Sequence, residues 1–551
     1  MAEQTLRVIP LGGLGEIGRN MLLLEFGDDI IVIDCGLMFP EEEMLGVDLV
    51  IPDFTYLREH RDKLRAVFLT HGHEDHVGAL PYFLREFSCP VYGAKLTQGL
   101  VRVKLEEHRL LKKTTLHVVE PGEVIEAGVF TVEFFTVAHS IPDACGLIIR
   151  TPLGPVVHTG DFKLDHTPVM DQHTDLIRLA QVGAEGCLLL LADSTYAEQE
   201  GYTPSEQVVG EALRNIIADA PGRVIVATFA SLIARVQQVI DAAVRANRKV
   251  FVTGRSMIDN VAMARQLGYL NVPDGTILNV DQMRNTPDSQ LVVITTGSQG
   301  EPTSALTRMA NGTHRHISIQ AGDTVVLSAT PIPGNEQAVY RNVDNLFRQG
   351  AEVLYNRVAN IHVRGHAGRE ELKILQSVVQ PEYFVPVHGE YRHLVVHAKL
   401  AESVGVPKGN AFVLTDGDVL EINEEVAYRA ERVPASYVYI DGLGIGDVDQ
   451  LILRDRAHLS TDGVVVVITA VDKQTGALTR PVDILTRGFV DAEEREDLIE
   501  RSREVAAAAL VGGEHYAEFG DINVRVRDAL TKFLYDETRR RPMVLTVTVE
   551  V

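Results

Sequence analysis

The sequence predicts an α/β protein in which one domain is interrupted by a doubly wound α/β domain and followed by a small α/β module. Three observations predict it. Several short apolar runs in the first two hundred residues end in a histidine or an aspartate. From about Glu206 to Val353, helix-like stretches alternate with apolar strands, the pattern of a parallel sheet. The run Tyr383 to Val387 then ends in His388, so the strand-end pattern of the first segment returns after the alternating stretch.

Bulk properties bound the reading. A chain of 551 residues is too long for one core, and two to four domains are expected. Hydrophobic content of 45% and charged content of 23% are those of an ordinary globular protein. No apolar run is long enough to span a bilayer, and the N-terminus lacks a basic-then-apolar signal pattern. Cys35, Cys89, Cys145 and Cys187 are scattered without CxxC spacing, which reads as a cytoplasmic protein with neither a disulfide framework nor a thiolate metal site. A net charge of −24 argues against a broad surface for non-specific nucleic-acid binding, though not against a polyanion held in a local channel.

Leu6 to Leu11 reads as a strand, followed by GGLGEIGRN. Gly13, Gly15 and Gly18 suggest a dinucleotide loop, but Asn20 to Phe26 looks like a strand where a helix is needed, so a β-hairpin is the reading. Ile30 to Ile33 then delivers Asp34 at a strand end, where it can orient a neighbouring ligand. Glu41 to Asp53 is an acidic loop in which Asp48 is the best candidate for an oxygen-ligated cation.

The densest chemistry follows. The strand Ala66 to Leu69 runs into THGHEDH, which packs His71, His73, Asp75 and His76 into one loop. Imidazole and carboxylate suit zinc or manganese without any thiolate. Val77 to Phe87 has helical periodicity; Val129 to Ala138 delivers His139, Gly154 to Asp161 delivers Asp161, and Cys187 to Leu191 leads to Asp193. One such residue at a strand end is ordinary turn chemistry, whereas several ending alike point to one metal centre.

Pro204 and Ser205 mark a boundary. Beyond it, helix-like stretches Glu206 to Ala218, Ser231 to Ala246 and Asp259 to Leu267 alternate with strands Arg223 to Phe229, Lys249 to Gly254, Gln290 to Gly297 and Thr324 to Thr330. These strands end in small polar turns (ATFAS, TGRS, TTGSQGEP, SATPIPG). Ligands of open α/β sheets bind beyond the carboxyl ends of strands, and turn amides favour phosphate. Ser231, Arg255, Ser256, Gly297 and Ser298 are therefore candidates for an anionic substrate, with helix capping as the plain alternative. Next, NIHVRGHAG places His362, Arg364 and His366 within five residues before a helix-like run, Arg369 to Val379. The resulting division is 1–205 and 354–422 for the interrupted domain, 206–353 for the insertion, 423–446 for a polar connector and 447–551 for the last module. In that module Val464 to Ile468 and Val544 to Val551 read as strands and Asp491 to Leu510 and Ile522 to Tyr535 as helices. It holds no ligand cluster, so assembly or domain positioning is its expected role.

HGHEDH, with Asp34 before it and His139 and Asp161 after it, resembles the metallo-β-lactamase superfamily. The insertion, with Asp193 before it and His366 and His388 after it, resembles the beta-CASP nucleases. GLGEIGRN, TGSQGEP, HVRGHAG, VHGEYRH and the extra C-terminal module narrow the resemblance to the bacterial ribonuclease J family across essentially the whole chain. That resemblance implies an αββα sandwich carrying the insertion, and two divalent ions, zinc first and manganese as the alternative. His71, His73 and His139 would hold one ion, and Asp75, His76 and His388 the other, with Asp161 between them and Asp34 behind. Asp75, Asp193 and His366 would be catalytic; Phe229, Ala230 and Ser231 and His362, Val363, Arg364, Gly365 and His366 match nucleotide-contacting segments. Asp48 and Asp441 match a region where some relatives hold a structural calcium. The implied activity is hydrolysis of RNA phosphodiesters, 5′-to-3′ exonucleolytic with endonuclease action in addition, in RNA maturation and decay. The implied partners are single-stranded RNA with a 5′-monophosphate end, a second copy of the chain in a homodimer or higher oligomer, and an RNA-decay complex, with no membrane. The competing readings are a DNA-processing beta-CASP nuclease, a small-molecule hydrolase and a non-catalytic RNA-binding scaffold. An insertion of roughly 150 residues over the site suits a polymer better than a small molecule.

Overall fold

The computed structural model describes residues 5–41, 43–170, 172–331, 335–472, 478–491, 495–510 and 519–550. Parts of four predicted stretches lie outside them: residue 42 of the acidic loop, 332–334 after Thr330, 492–494 at a helix start, and 551. The described residues form two compact units, 1–39 with 49–438, and 40–48 with 439–551.

In the larger unit two sheets stack face to face. The first has eight strands in the order Ala427–Ala430, Val419–Ile422, Leu6–Gly12, Met21–Phe26, Asp29–Ile33, Leu64–Phe68, Val91–Gly93, Leu116–Val118. The second has six, in the order Tyr383–Val387, Leu189–Asp193, Gly154–His158, Cys145–Thr151, Phe130–Thr136, Val124–Ala127. Alternate side chains of both meet between them: Leu6, Val8, Leu24, Ile31 and Phe68 from one, Phe130, Phe134, Leu147, Val156 and Leu189 from the other. Each such side chain, fully buried, contributes roughly 1.5–3 kcal/mol. The outer face of the second sheet (Ile148, Val157, Leu190) is covered by the helices Leu176–Glu185 and Arg369–Val379 through Leu179, Val182, Leu372 and Leu375. The layers are those of the αββα sandwich.

The hairpin reading of the N-terminus agrees with the structure: Leu6–Gly12 pairs antiparallel with Met21–Phe26 around the glycine loop. The insertion is a six-stranded sheet in the order Ile277–Leu278, Lys249–Thr253, Leu291–Thr295, Val224–Ala227, Thr324–Leu327, Glu352–Leu354, with every pair parallel. Helices cover both faces, Gln207–Asp219, Ile233–Arg245 and Arg255–Leu267 on one and Ala305–Ala310 and Glu336–Arg348 on the other. Its two edge strands, Ile277–Leu278 and Glu352–Leu354, are too short to read from a hydrophobic pattern.

One expectation needs correction. Residues 423–446 do more than connect: Ala427–Ala430 pairs with Val419–Ile422 and extends the first sheet. The polarity that suggested a linker belongs to an edge strand whose Tyr428 and Arg429 face solvent.

The smaller unit has a three-stranded sheet, Asp483–Arg487, Val464–Val471, Met543–Glu550, with the helices Glu496–Leu510 and Phe519–Thr538 packed through Leu498, Ala506, Leu530 and Leu534. It also contains the helix Gln450–Asp462, for which the sequence pattern carried no signal because none of its residues is buried.

Candidate metal centre

The two-sheet stack builds its site at one edge, from the carboxyl ends of six strands. Asp29–Ile33 ends at Asp34, Leu64–Phe68 leads to the loop His71–His76, and Phe130–Thr136 leads to His139. Gly154–His158 leads to Asp161, Leu189–Asp193 ends in Asp193, and Tyr383–Val387 ends at His388. Asp34 and His388 both adopt left-handed backbone, φ 59° and 52°. That conformation costs about 1–3 kcal/mol at a non-glycine residue and is held here by the surrounding packing.

Three groups of side chains bring ligand atoms within 4.8 Å of one another: His71, His73, His139 and Asp161; Asp75, His76, Asp161 and His388; and Asp161, Asp193, His366 and His388. In the first, His73 Nδ1 lies 3.0 Å from His71 Nε2 and 3.2 Å from His139 Nε2. Asp161 Oδ2 lies 3.6 Å and 3.7 Å from the same two nitrogens. In the second, His76 Nε2 is 3.3 Å from Asp161 Oδ2 and His388 Nε2 is 3.3 Å from Asp75 Oδ2. A tetrahedral ion with bonds of about 2.0–2.1 Å separates its ligands by roughly 3.3–3.4 Å, so both groups have the spacing of an ion's coordination edges. Asp161 Oδ1 and His388 Nε2 are buried with no hydrogen-bond partner. Buried polar atoms left this way are costly unless something else serves them, and a cation would serve both. The residues present therefore fit a pair of divalent ions.

The electrostatics divide the histidines. Burial pushes His71 and His139 well below the ordinary imidazole value and His73 down to about 4, so this group offers neutral rings. Against the same downward pull of burial, Asp161, Asp75 and Asp34 lift His76 well above it, and Asp161, Asp193 and Asp75 lift His388 to about 10. In turn, His388 and His76 outweigh burial to hold Asp161 well below the carboxylate range, and His76 and His388 do the same for Asp75. Buried carboxylates and imidazolium rings compensate one another here, a charge balance that bound cations would take over.

Four rings are fixed through Nδ1. His76 Nδ1 meets Asp34 Oδ2 at 2.8 Å, and His139 Nδ1 donates to the Gly365 carbonyl at 2.8 Å. The other two are held through a threonine. Thr70 Oγ1 donates to Asp34 Oδ2 at 2.8 Å, which leaves it to accept from His71 Nδ1 at 3.0 Å. Thr195 Oγ1 donates to Asp193 Oδ1 at 2.8 Å and accepts from His388 Nδ1 at 3.0 Å. A hydroxyl has one hydrogen, so a threonine that gives it to the carboxylate accepts a proton held on ring Nδ1, and with an ion bound Nε2 would be the nitrogen left to face it. Sequence reading missed Thr70 and Thr195; their one signal was adjacency to His71 and to Asp193.

The glycine loop, which the sequence pattern argues against as a nucleotide site, braces the same centre. Leu14–Gly15 pairs with Gly389–Glu390, next to His388. Asn20 donates to the Asp75 carbonyl from its backbone N–H at 3.0 Å and its side-chain amide at 3.1 Å. A Cβ at Gly36 would stand 1.6 Å from the Asp75 carbonyl oxygen, so that approach requires glycine.

His366 Nδ1 lies 2.7 Å from Asp193 Oδ2, and its ring sits 5.1 Å from His139, 5.3 Å from His388 and 5.5 Å from Tyr196, centroid to centroid. Asp193 and Asp161 overcome burial and raise its pKa. The Arg364 guanidinium lies over Tyr196, 4.7 Å from the ring centroid. A Cβ at Gly365 would meet His139 at 2.7 Å, Val363 is buried, and His362 Nδ1 is buried without a partner. The loop is tied to the insertion by Arg235, which donates to the Ile361 carbonyl at 3.1 Å, to Ser328 and to buried Glu206. Phe229, Ala230 and Ser231 follow the strand Val224–Ala227, Arg255 and Ser256 open a helix after Lys249–Thr253, and Gly297 and Ser298 follow Leu291–Thr295. All lie at the carboxyl edge of the inserted sheet. Asp48 and Asp441 lie elsewhere, in the smaller unit: Asp48 accepts the Gly442 N–H at 2.8 Å and Asp441 pairs with Arg456.

The chain matches four family models: the metallo-beta-lactamase superfamily over residues 14–225, the ribonuclease J beta-CASP domain over 221–346, the Zn-dependent metallo-hydrolase RNA specificity domain over 351–413, and the ribonuclease J C-terminal domain over 451–551. It is 43% identical to ribonuclease J2 of Bacillus subtilis over 550 residues, covering 100% of this chain and 99% of that one. It is 45% identical to ribonuclease J of Thermus thermophilus over 559 aligned residues, covering 100% and 96%. Ribonuclease J of Synechocystis is 46% identical over 88% of this chain and 76% of its own. Among solved structures, a protein of unknown function from Enterococcus faecalis shares the fold at TM-score 0.54 and 16% identity, over 76% of this chain and 100% of that one.

Proposed function

The chain belongs to the ribonuclease J family, and on that premise we propose that it degrades single-stranded RNA from a 5′-monophosphate end, with endonucleolytic cleavage in addition. It is a metal-dependent ribonuclease; direction, metal identity and the residue roles below are our reading. The observation that carries it is the pair of ligand groups sharing Asp161, in which three neutral imidazoles stand on one side and Asp75, His76 and His388 on the other. His71, His73 and His139 would hold one ion and Asp75, His76 and His388 the second, with Asp161 within reach of both. When bound, such ions lower the pKa of water towards about 7 and neutralise charge on the phosphoryl oxygens. Nitrogen and carboxylate donors without thiolate favour zinc, with manganese the alternative.

The remaining steps belong to the chain's own groups. Asp75 orients the attacking water. His366, held at Nδ1 by Asp193 and kept protonated by it, supplies a proton from Nε2 to the departing 3′ oxygen. The segments after Ala227, Thr253 and Thr295, with Arg364, contact the sugar-phosphate backbone. Self-association as a dimer or higher oligomer is supported by Leu485, Leu545, Val547 and Val549, which leave one sheet face of the smaller unit exposed and apolar. The four cysteines are unpaired, which fits a reducing cytoplasm, and we assign the protein to an RNA-decay complex there. Among the described residues no helix is long and apolar enough to cross a membrane.

The test is a time course on 5′-monophosphate, 5′-triphosphate and internally labelled RNA and on matched DNA, with zinc or manganese added. Early mononucleotide release from the 5′-monophosphate RNA alone is expected. Equal release from DNA, or products from the 3′ end, would replace this reading.

A further inference from the structure

On an acidic molecule, unpaired arginines gathered in one place need a reason. The inserted domain has such a place. At the last residue of the strand Lys249–Thr253, Thr253 Oγ1 meets His314 Nε2 at 3.4 Å. His314 Nδ1 accepts the backbone N–H groups of His316 at 3.3 Å and Ile317 at 3.1 Å, which folds the segment back against that strand. His316 Nδ1 accepts from Arg284 at 3.5 Å, and the backbone N–H groups of Thr313 and His314 bond to the Arg308 carbonyl. Arg284, Arg308 and Arg315 are thereby collected around two histidines, with Arg255 two residues beyond Thr253. All four arginines are exposed. None of the four forms an ion pair among the described residues, whereas Arg223, Arg235 and Arg265 of the same domain face Asp323, Glu206 and Asp274.

Topology places this cluster in line with the metal centre. The strands are parallel, so their carboxyl ends share one edge. Ser328, just past Thr324–Leu327, donates to the Ile361 carbonyl at 2.6 Å and so marks where that edge meets the His366 loop. From there the strand order runs through Val224–Ala227 and Leu291–Thr295 to Lys249–Thr253, a span of three strand spacings, roughly 14 Å. We infer that Arg284, Arg308 and Arg315 form an outer phosphate-binding surface for the part of a single-stranded RNA that has not yet reached the metal centre. Exposed guanidinium groups without carboxylate partners suit a run of phosphates, which accept bidentate pairs from arginine and carry no sequence demand. The inference rests on the ribonuclease reading above and adds to it a length dependence.

The experiment replaces Arg284, Arg308 and Arg315 together by Gln, and in a second protein by Lys, and compares 5′-monophosphate RNAs of three and twenty nucleotides. In the Gln protein, kcat/KM on the long RNA is expected to fall about tenfold relative to that on the short one. The slope of log affinity against log salt should become shallower by about 2, at roughly 0.7 for each phosphate of a single strand that is no longer neutralised. The Lys protein should keep the wild-type slope, and thermal melts of all three should coincide. An unchanged long-to-short ratio, or an unchanged salt slope, overturns the inference while leaving the ribonuclease reading in place. Wild-type protein that cleaves neither RNA overturns that reading instead.

Discussion

At the scale of single residues, the centre depends on side chains that never touch an ion. Thr195 carries no charge, yet its hydroxyl joins Asp193 to His388 and sets which ring nitrogen is free. Thr195→Val keeps the shape and removes the hydroxyl; metal affinity should fall about 10–100-fold, as for other groups behind a ligand, and Thr195→Ser should restore it. Metal titration of the ion-free protein checks this without assaying turnover. His366 gives a second prediction, with a sign. Asp193 raises its pKa, so the proton stays on His366 to higher pH. Asp193→Asn removes that support, and the alkaline limb of the kcat profile should move to lower pH; a limb that stays in place would remove Asp193 from the proton step. His366→Ala should lower kcat about 10²–10⁴-fold while the protein still binds its metal. The ligand-type residues were legible because histidine and aspartate at strand ends are few and chemically distinctive. Thr70, Thr195 and Asn20 were not, since threonine and asparagine at strand ends and turns are commonplace.

At the scale of elements, the loop 360–368 is the joint between centre and insertion. Gly365 contacts His139 through its carbonyl, and Arg235 fixes Ile361 from a helix of the inserted domain. Arg235→Met would leave Glu206 buried without its partner, a loss of about 3–5 kcal/mol, while the double change with Glu206→Gln should recover much of it. Denaturant melts of the three variants measure this. Because the same arginine holds the loop that carries His366, kcat should fall in Arg235→Met more than KM rises. Three helices and the four longer strands of the insertion followed from periodicity, since amphipathic helices and fully buried parallel strands leave strong patterns, whereas the helices Val280–Arg284, Ala305–Ala310 and Glu336–Arg348 were not read from the sequence. The edge strands Ile277–Leu278, Glu352–Leu354 and Ala427–Ala430 did not, because two to four residues at a solvent edge carry too little pattern to register.

At the scale of the whole molecule, the seven ligand-type side chains His71, His73, Asp75, His76, His139, Asp161 and His388 are spread over more than three hundred residues and meet at one edge of a two-sheet stack. Ions bound there couple distant segments of the chain, so they stabilise the folded state only. With free metal at 100 times its dissociation constant, the gain is about 2.7 kcal/mol for a site, and chelation should lower Tm by the matching amount. A melting temperature indifferent to chelator would mean that the edge is held together without cations. The net charge of −24 also acquires an account at this scale, because the arginine cluster on the insertion and the bound ions are local exceptions to an acidic surface.

By itself the sequence determined the fold class, the interruption of one domain by another and the residues with ligand chemistry, because each is written in composition and period along the chain. That two groups of these residues share Asp161 was implied by the family resemblance; tertiary structure alone decided that threonine hydroxyls contact the Nδ1 atoms of His71 and His388 and that the glycine loop braces Asp75. Those are relations between particular atoms, and no one-dimensional spacing encodes such an approach, whether the residues are neighbours, as Thr70 and His71 are, or 193 positions apart, as Thr195 and His388 are.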